Sequence, residues 1–434
     1  MKRFHLSFLL ILVMALSPGL PTALSQGGEV ILGDEQFALY LPLLEGKRVA
    51  LFSNQSGIVG DHTEPADVFP EGTDPLLVPF GQGVTLGEHI LDALIRQDVH
   101  VTAVFSPEHG FRGEAGAGES VSSSVDEKTG VPILSLYSGN SRRPSDESMN
   151  TFDVLLVDIQ DVGLRYYTYY ISMYRLMDAC AAWHKPVIIL DRPNPNGYFL
   201  DGPMLEERFR SGVGVLPLPV VHGMTLGELA RMINGEGWLE AGRNALDLTV
   251  IPCRNYTHQT HSSLICAPSP NLKTMKSVLL YPSLCPFENT VVSVGRGTDH
   301  PFEIYGSPYL QDTEGFSFTF VPESRPGASS PVWEGETCYG KDLRDMEPAR
   351  ILESGIQLDI LTEAWRAVSE ACPGVDFFGR PDSQGRYYLD KLMGTDQVRL
   401  MITAGCSAEE IRSSWQEGLN LFRAQRKPYL LYEE

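Results

Sequence analysis

The chain has 434 residues, enough for two domains that each bury a core. Its 43% hydrophobic and 21% charged residues are those of an ordinary soluble globular protein. A formal net charge of −21 argues against a nucleic-acid partner, which would need a basic footprint.

The N-terminus differs from the remainder. Residues 1–25 begin with Lys2 and Arg3, continue apolar from Phe8 to Leu16, and end with Ala23 and Ser25 placed as an A-x-S cleavage site. That is a secretory signal peptide pattern, and its apolar run is shorter than the ~20 residues needed to span a bilayer. Export is therefore expected, to the periplasm or the extracellular space, with a mature chain starting near Gln26 and holding no transmembrane span. Seven cysteines lie between Cys180 and Cys406 without a C-x-x-C pair, so a zinc ribbon has no support. An oxidising compartment allows one or two disulfide bridges, and Cys180, within a helical pattern, reads as a buried inert thiol.

Four short apolar runs follow, each ending abruptly in a polar, Gly/Pro/Asn-rich segment: VALFSNQSG (49–57), VTAVFSPEHG (101–110), DVLLVDIQDVG (153–163) and PVIILDRPNPNG (186–197). Near-continuous Val/Ile/Leu character suits strands of a parallel sheet covered on both faces. Helical patterns alternate with them at 85–97, where Leu86, Ile90 and Leu94 share a face, and at 169–184. The alternation predicts a doubly wound, Rossmann-like α/β domain over 26–250. In such sheets ligands bind beyond the carboxyl ends of the strands, which is where all four polar motifs stand. Thr225 and Glu228 form a capping box that starts a helix over 225–233. From 251 onward Pro, Ser, Tyr and Gly dominate, so a smaller α+β domain is expected over 251–434, completing the cleft. At its end Ser407 and Glu410 repeat the capping box, and Ile411, Trp415, Leu419 and Phe422 stripe one helical face for packing.

The polar motifs carry the candidate chemistry. Glu108 sits at a strand end between apolar Phe105 and Phe111, where desolvation raises a carboxyl pKa toward that of a general acid. An ion pair with Arg112 is the structural alternative. His109 suits a supporting hydrogen bond. The glycines at 113–120 lack the spacing of a phosphate cradle and carry Glu114 and Glu119. Asp158 directly ends its apolar run and reads as a loop holder, whereas Asp161 stands farther out, toward the cleft. Arg165 and Tyr167 behind it suit a sugar bearing a carboxylate, through stacking and bidentate pairing. Asn54, Asp191, Arg192, Asn194, His222, Glu288 and Arg296 complete the expected substrate-binding set. No cofactor and no metal is expected. The competing readings are a non-catalytic sugar-binding protein and a metal-dependent hydrolase using His109, Asp158, Asp161 and His222.

Taken in order, SPEHGFRG, DIQDVGLRYYTY, LDRPNPNG, HGMTLGELA, PSPN and GRGTDHPFE resemble the motifs of the NamZ-type exo-lytic β-N-acetylmuramidases of bacteria. The resemblance covers about 45–434. It implies a Rossmann-like domain plus a smaller C-terminal domain with the active site between them, and release of N-acetylmuramic acid from the non-reducing end of peptidoglycan fragments. The muramyl saccharide is then the partner. The family's catalytic acid falls on Glu108, with Asp161 as the partner carboxyl. His109, Arg112, Arg165 and Arg296 fall on motif positions near the cleft. The lactyl carboxylate that distinguishes muramic acid would be selected by Arg112, Arg165 or Arg296. Two departures stand out: Glu288-Asn289-Thr290-Val291 where EGTN is expected, and Leu264, Ile265 and Cys266 where an aromatic is expected before PSPN.

Overall fold

The structure, a computed structural model, describes residues 29–60, 75–77, 79–80, 87–107, 111, 124–136, 143–353 and 355–434. Residues 1–25, expected to be a signal peptide, together with Glu108, His109 and Arg112, lie outside the described residues.

The strands in chain order are β1 (Val49–Phe52), β2 (Ile58–Val59), β3 (Glu88–His89), β4 (Val101–Ser106), β5 (Ser124–Val125), β6 (Pro132–Ser135), β7 (Val154–Val157), β8 (Val187–Leu190) and β9 (Leu248–Ile251). The central sheet runs β5-β6-β4-β1-β7-β8-β9. Every pairing from β6 to β9 is parallel, and β5 adds an antiparallel edge. The order of the parallel strands is that of the doubly wound dinucleotide-binding fold, and it reverses at β1, between β4 and β7. All four apolar runs became strands because each is buried throughout or nearly so, as a sheet covered on both faces requires.

Alternation along each strand divides the core in two. Val49 and Leu51 face a cluster with α1 (Phe37–Leu44) and α2 (Ile90–Arg96). Ala50 and Phe52 face the other side, with α3 (Asp146–Met149), α4 (Tyr169–Ala182) and α5 (Leu226–Glu236). The helix expected over 85–97 begins only at Ile90. Glu88 and His89 instead pair with Val59 and Ile58 as strand, and the His89 ring caps α2 by accepting from the Leu91 N–H.

After β9 the chain builds β10 (Ile304–Ser307), β11 (Phe318–Phe320) and β12 (Cys338–Asp342), an antiparallel sheet in the order β10-β12-β11. Around it lie α6 (Met275–Leu284), α7 (Pro348–Glu353), α8 (Leu358–Ala371), α9 (Tyr388–Met393), α10 (Gln397–Thr403), α11 (Ala408–Ser413) and α12 (Gln416–Arg426). The C-terminal apolar stripe is buried as expected, but it is shared by two helices because the chain breaks at Ser414–Trp415. The core on the α4–α5 side continues without interruption into this second part, from Phe52 through Tyr281 to Phe422. All seven cysteines are unpaired. No helix among the described residues is long and apolar enough to cross a membrane.

Candidate active site

The site is built at the carboxyl edge of the sheet, where the strand order reverses. β1 delivers Asn54, β7 delivers Asp161 and β8 delivers Asn194. The loops are tied to one another: Asn54 Oδ1 accepts from the Ser56 N–H and hydroxyl at 2.9 and 2.6 Å, and Ser56 Oγ accepts from the Gln160 N–H at 2.9 Å. The Gln160 amide donates to Pro193 O at 2.8 Å, joining the β7 and β8 loops. Gly163 turns the β7 loop with φ +77°, and a Cβ there would sit 2.2 Å from the Asn194 amide. β4, next to β1, brings the chain to the same edge at Ser106 and Pro107. Pro107 and Phe111, the described neighbours of residues 108–110, are both buried.

Asp161 is buried, and its Oδ1 accepts from the Gly163 N–H at 2.7 Å. Its Oδ2 has no hydrogen-bond partner among the described residues. Burial pushes the carboxyl up from 3.8 to about 7, against main-chain N–H groups of Gly163, Val162 and Tyr170 that pull it down. It lines a water-sized cavity of about 10 Å³ with Gly163, Asn194, Met224 and Thr225. A carboxyl so held can exchange a proton near neutral pH. The amide of Asn54 is likewise buried, with Nδ2 unpartnered among the described residues.

Several residues expected to bind substrate hold the scaffold instead. Arg192 pairs with Asp158 at 2.7 and 3.0 Å and with Asp34 at 2.6 Å, all three buried. Two buried carboxylates need a counter-charge, and Arg192 supplies it. Asp191 caps α5: it accepts from Gly227 N at 2.8 Å, Thr225 Oγ1 at 2.7 Å and Tyr432 Oη at 2.6 Å. Arg165 is fully buried and donates to Pro203 O, Leu218 O and Leu392 O, so it stitches the two parts of the chain together. Burial lowers its guanidinium to about 10, still charged at neutral pH. The Asn194 amide is spent on Met224 O and the Asn196 N–H. His222 accepts the Met224 N–H at its Nδ1, which leaves the proton on Nε2. Burial, with Arg426 and Arg165 nearby, pushes His222 down to about 3, so it stays neutral and serves as no base in the physiological range. The metal-hydrolase reading loses Asp158 to Arg192, and no group of three or more His, Cys, Asp or Glu among the described residues is arranged to hold a metal ion.

The segment that carries Asp161 continues into a second cavity, of about 90 Å³, through Tyr166, Tyr167, Thr168 and Tyr169. Its far wall comes from the second part of the chain: Asn271, Tyr281, Glu288, Arg296, Phe302 and Tyr388. Tyr167 and Tyr169 both donate to Pro268 O at 2.8 Å, and Gln55 reaches the same carbonyl at 3.2 Å, so the PSPN segment is fastened to the β1 loop. Burial raises the Tyr166, Tyr167 and Tyr281 phenols well above their ordinary range, so the wall is neutral. Arg296 stands between Gly295 and Gly297, both at positive φ, and lies 4.9 Å from the Phe302 ring centroid. It pairs with Glu288 at 2.6 Å. Sequence motifs pointed to Tyr167, Glu288 and Arg296 but not to Tyr281 or Tyr388. Tyr281 lies inside a helix buried throughout and Tyr388 opens another, and only their tertiary neighbours reveal them.

Fold and site together define a doubly wound α/β protein with a buried carboxyl at the carboxyl edge of its sheet and a nearby cavity lined by tyrosines from both parts of the chain. The family model for the N-terminal part of exo-β-N-acetylmuramidase NamZ matches residues 79–276, and that for its C-terminal part matches 279–432. The chain is 34% identical over 415 residues to the peptidoglycan β-N-acetylmuramidase NamZ of Bacillus subtilis strain 168, covering 91% of this chain and 89% of that one. It is also similar to two crystal structures of DUF1343 family proteins from Bacteroides fragilis NCTC 9343. One is 47% identical with a TM-score of 0.78, covering 94% of this chain and 99% of that one. The other is 26% identical with a TM-score of 0.73, covering 93% and 99%. The chain belongs to the NamZ exo-β-N-acetylmuramidase family.

Proposed function

We propose that the protein is an exo-acting glycoside hydrolase that releases N-acetylmuramic acid from the non-reducing end of peptidoglycan fragments during cell-wall turnover. The family supplies the reaction class. The observation that carries the mechanism is Asp161: a buried carboxyl with one oxygen unpartnered among the described residues, at the sheet edge to which β4 brings the chain just before Glu108. In this reading Glu108 is the general acid that protonates the departing glycosidic oxygen, His109 supports it, and Asp161 is the partner carboxyl on the sugar side. Export to the periplasm or beyond follows from the signal peptide pattern and matches where such a substrate is found.

Incubation with a chromogenic β-N-acetylmuramide tests the reaction. Free N-acetylmuramic acid should appear, and Glu108→Gln should lower turnover by about 10²–10⁴-fold, the usual worth of acid–base catalysis. A Glu108→Gln enzyme with ordinary turnover would remove Glu108 from the role. N-terminal sequencing of the exported protein should begin near Gln26, and finding Met1 there would end the export proposal.

A further inference from the structure

The cavity of about 90 Å³ beside Arg296 is much larger than the water-sized one at Asp161 and can admit a polar substituent of a sugar. Among the described residues lining it, Arg296 is the one cation and Glu288 the one carboxylate. The guanidinium meets Glu288 along a single edge: Nε and Nη2 both approach Oε1, at 2.7 and 2.6 Å. The opposite edge, formed by Nη1 and the second Nη2 proton, has no protein acceptor among the described residues. A planar guanidinium offers two such edges, each able to grip a carboxylate with two parallel bonds. Phe302 beneath its face and a glycine on either side hold its plane in place. A Cβ at Gly297 would lie 2.5 Å from Glu323 O, so the Arg296 loop has little room to shift.

Resting on the reading of the chain as a muramidase, we infer that Arg296 receives the lactyl carboxylate of N-acetylmuramic acid on its open Nη1–Nη2 edge, and that Glu288 positions the guanidinium by holding the other. The neutral tyrosine walls strengthen this discrimination. With a glucosaminyl substrate the open edge would be desolvated and left without an acceptor, and an unmet charged donor costs more than a made bond gains. Glu288 is a positioning residue in this scheme: it orients the cation and touches no reacting atom.

The test compares kcat/KM for chromogenic β-N-acetylmuramide and β-N-acetylglucosaminide, which differ in the lactyl ether. Their ratio is insensitive to how much of a variant is folded, because both assays sample the same active fraction. Arg296→Gln should collapse the muramyl preference by about 10- to 100-fold, the worth of a hydrogen-bonded charge. Arg296→Lys should restore part of it, since it keeps the charge but not the fork. Glu288→Gln, which still offers an acceptor to the Nε edge, should retain the preference, and Glu288→Ala should lose part of it through KM. Should Arg296→Gln not fold, inhibition of the wild type by N-acetylmuramic acid and by its methyl ester reads the same contact: the acid should bind at least about tenfold tighter. A wild type without muramyl preference, an Arg296→Gln ratio within about twofold of wild type, or equal inhibition by acid and ester overturns the inference. A wild type that cleaves neither glycoside overturns the proposed function instead.

Discussion

Tyr432, third from the end of the sequence, donates its phenol to Asp191 Oδ2 at 2.6 Å across 241 residues of chain. The rest of the tail is tied to the same place. The Leu431 N–H reaches Glu228 Oε1 at 2.8 Å, Arg231 donates to Tyr429 O at 2.7 Å, and Arg426 donates to Gly223 O. Those partners lie on α5 and the 222–225 loop before it, whose Met224 and Thr225 line the cavity at Asp161. The last residues therefore act as a strap on one wall of the site.

Tyr432→Phe should loosen that strap. It removes one donor from a buried carboxylate and leaves the Cys253 N–H without the phenol oxygen it now meets at 2.9 Å. The expected loss is about 1–3 kcal/mol. Urea unfolding should show a lower midpoint at unchanged slope. An unchanged midpoint would mean that the tail is held without this bond.

Asp161 makes stability depend on pH. Its folded pKa of about 7 stands above the ordinary 3.8. Between those values the folded chain keeps a proton that the unfolded chain has released. The contribution of this group is therefore fully present below about pH 4 and is lost as pH rises through about 7. Asp161→Asn keeps an acceptor for the Gly163 N–H and cannot ionise. Relative to wild type it should gain stability as pH climbs from about 4 to 8, on the order of 3–4 kcal/mol at 1.36 kcal/mol per pKa unit. The same variant should lose an ionisation near pH 7 from its kcat/KM profile. Parallel pH curves for the two proteins would rule out the raised carboxyl.

Arg165 should matter to stability and not to selectivity. Arg165→Lys cannot reach Pro203 O, Leu218 O and Leu392 O together, and each abandoned buried carbonyl costs about 1–3 kcal/mol. Thermal unfolding should drop by several degrees while the muramyl-to-glucosaminyl ratio stays at its wild-type value. A changed ratio would return Arg165 to the cleft.

Gly163→Ala tests whether the β7 loop needs its left-handed turn. The new Cβ would be strained at φ +77° and would press on Asn194, whose amide is already committed to Met224 O and the Asn196 N–H. About 1–3 kcal/mol of stability should be lost, along with much of the activity, because Asp161 is oriented by the Gly163 N–H. A variant with wild-type melting and turnover would show that the loop tolerates another turn.

Four of the seven strands of the sheet, β1, β4, β7 and β8, could be read because burial on both faces leaves an unbroken apolar run, a local signal. So could both capping boxes, since a cap is satisfied within three residues: Thr225 with Glu228, and Ser407 with Glu410, bond as their spacing required. Elements stabilised from afar were harder. Residues 88–89 fall inside the helical apolar period of Leu86, Ile90 and Leu94, yet pairing with 58–59 makes them strand. α6 went unread because Pro282 stands inside it and every residue is buried, so it shows no polar face to set a period.

The amino-acid order alone determined that polar motifs end successive buried strands, and therefore that they gather at one edge of the sheet. Tertiary structure decided what each motif does there. Arg165, Arg192 and Arg296 look alike as sequence: each is a guanidinium in a conspicuous loop. Arg192 is consumed by carboxylates 34 and 158 residues away, and Arg165 by carbonyls up to 227 residues away, while Arg296 lines a cavity and pairs along one edge with Glu288, eight residues away. A charged side chain takes its role from whatever desolvates and pairs it, and partners so distant along the chain leave no trace in local spacing.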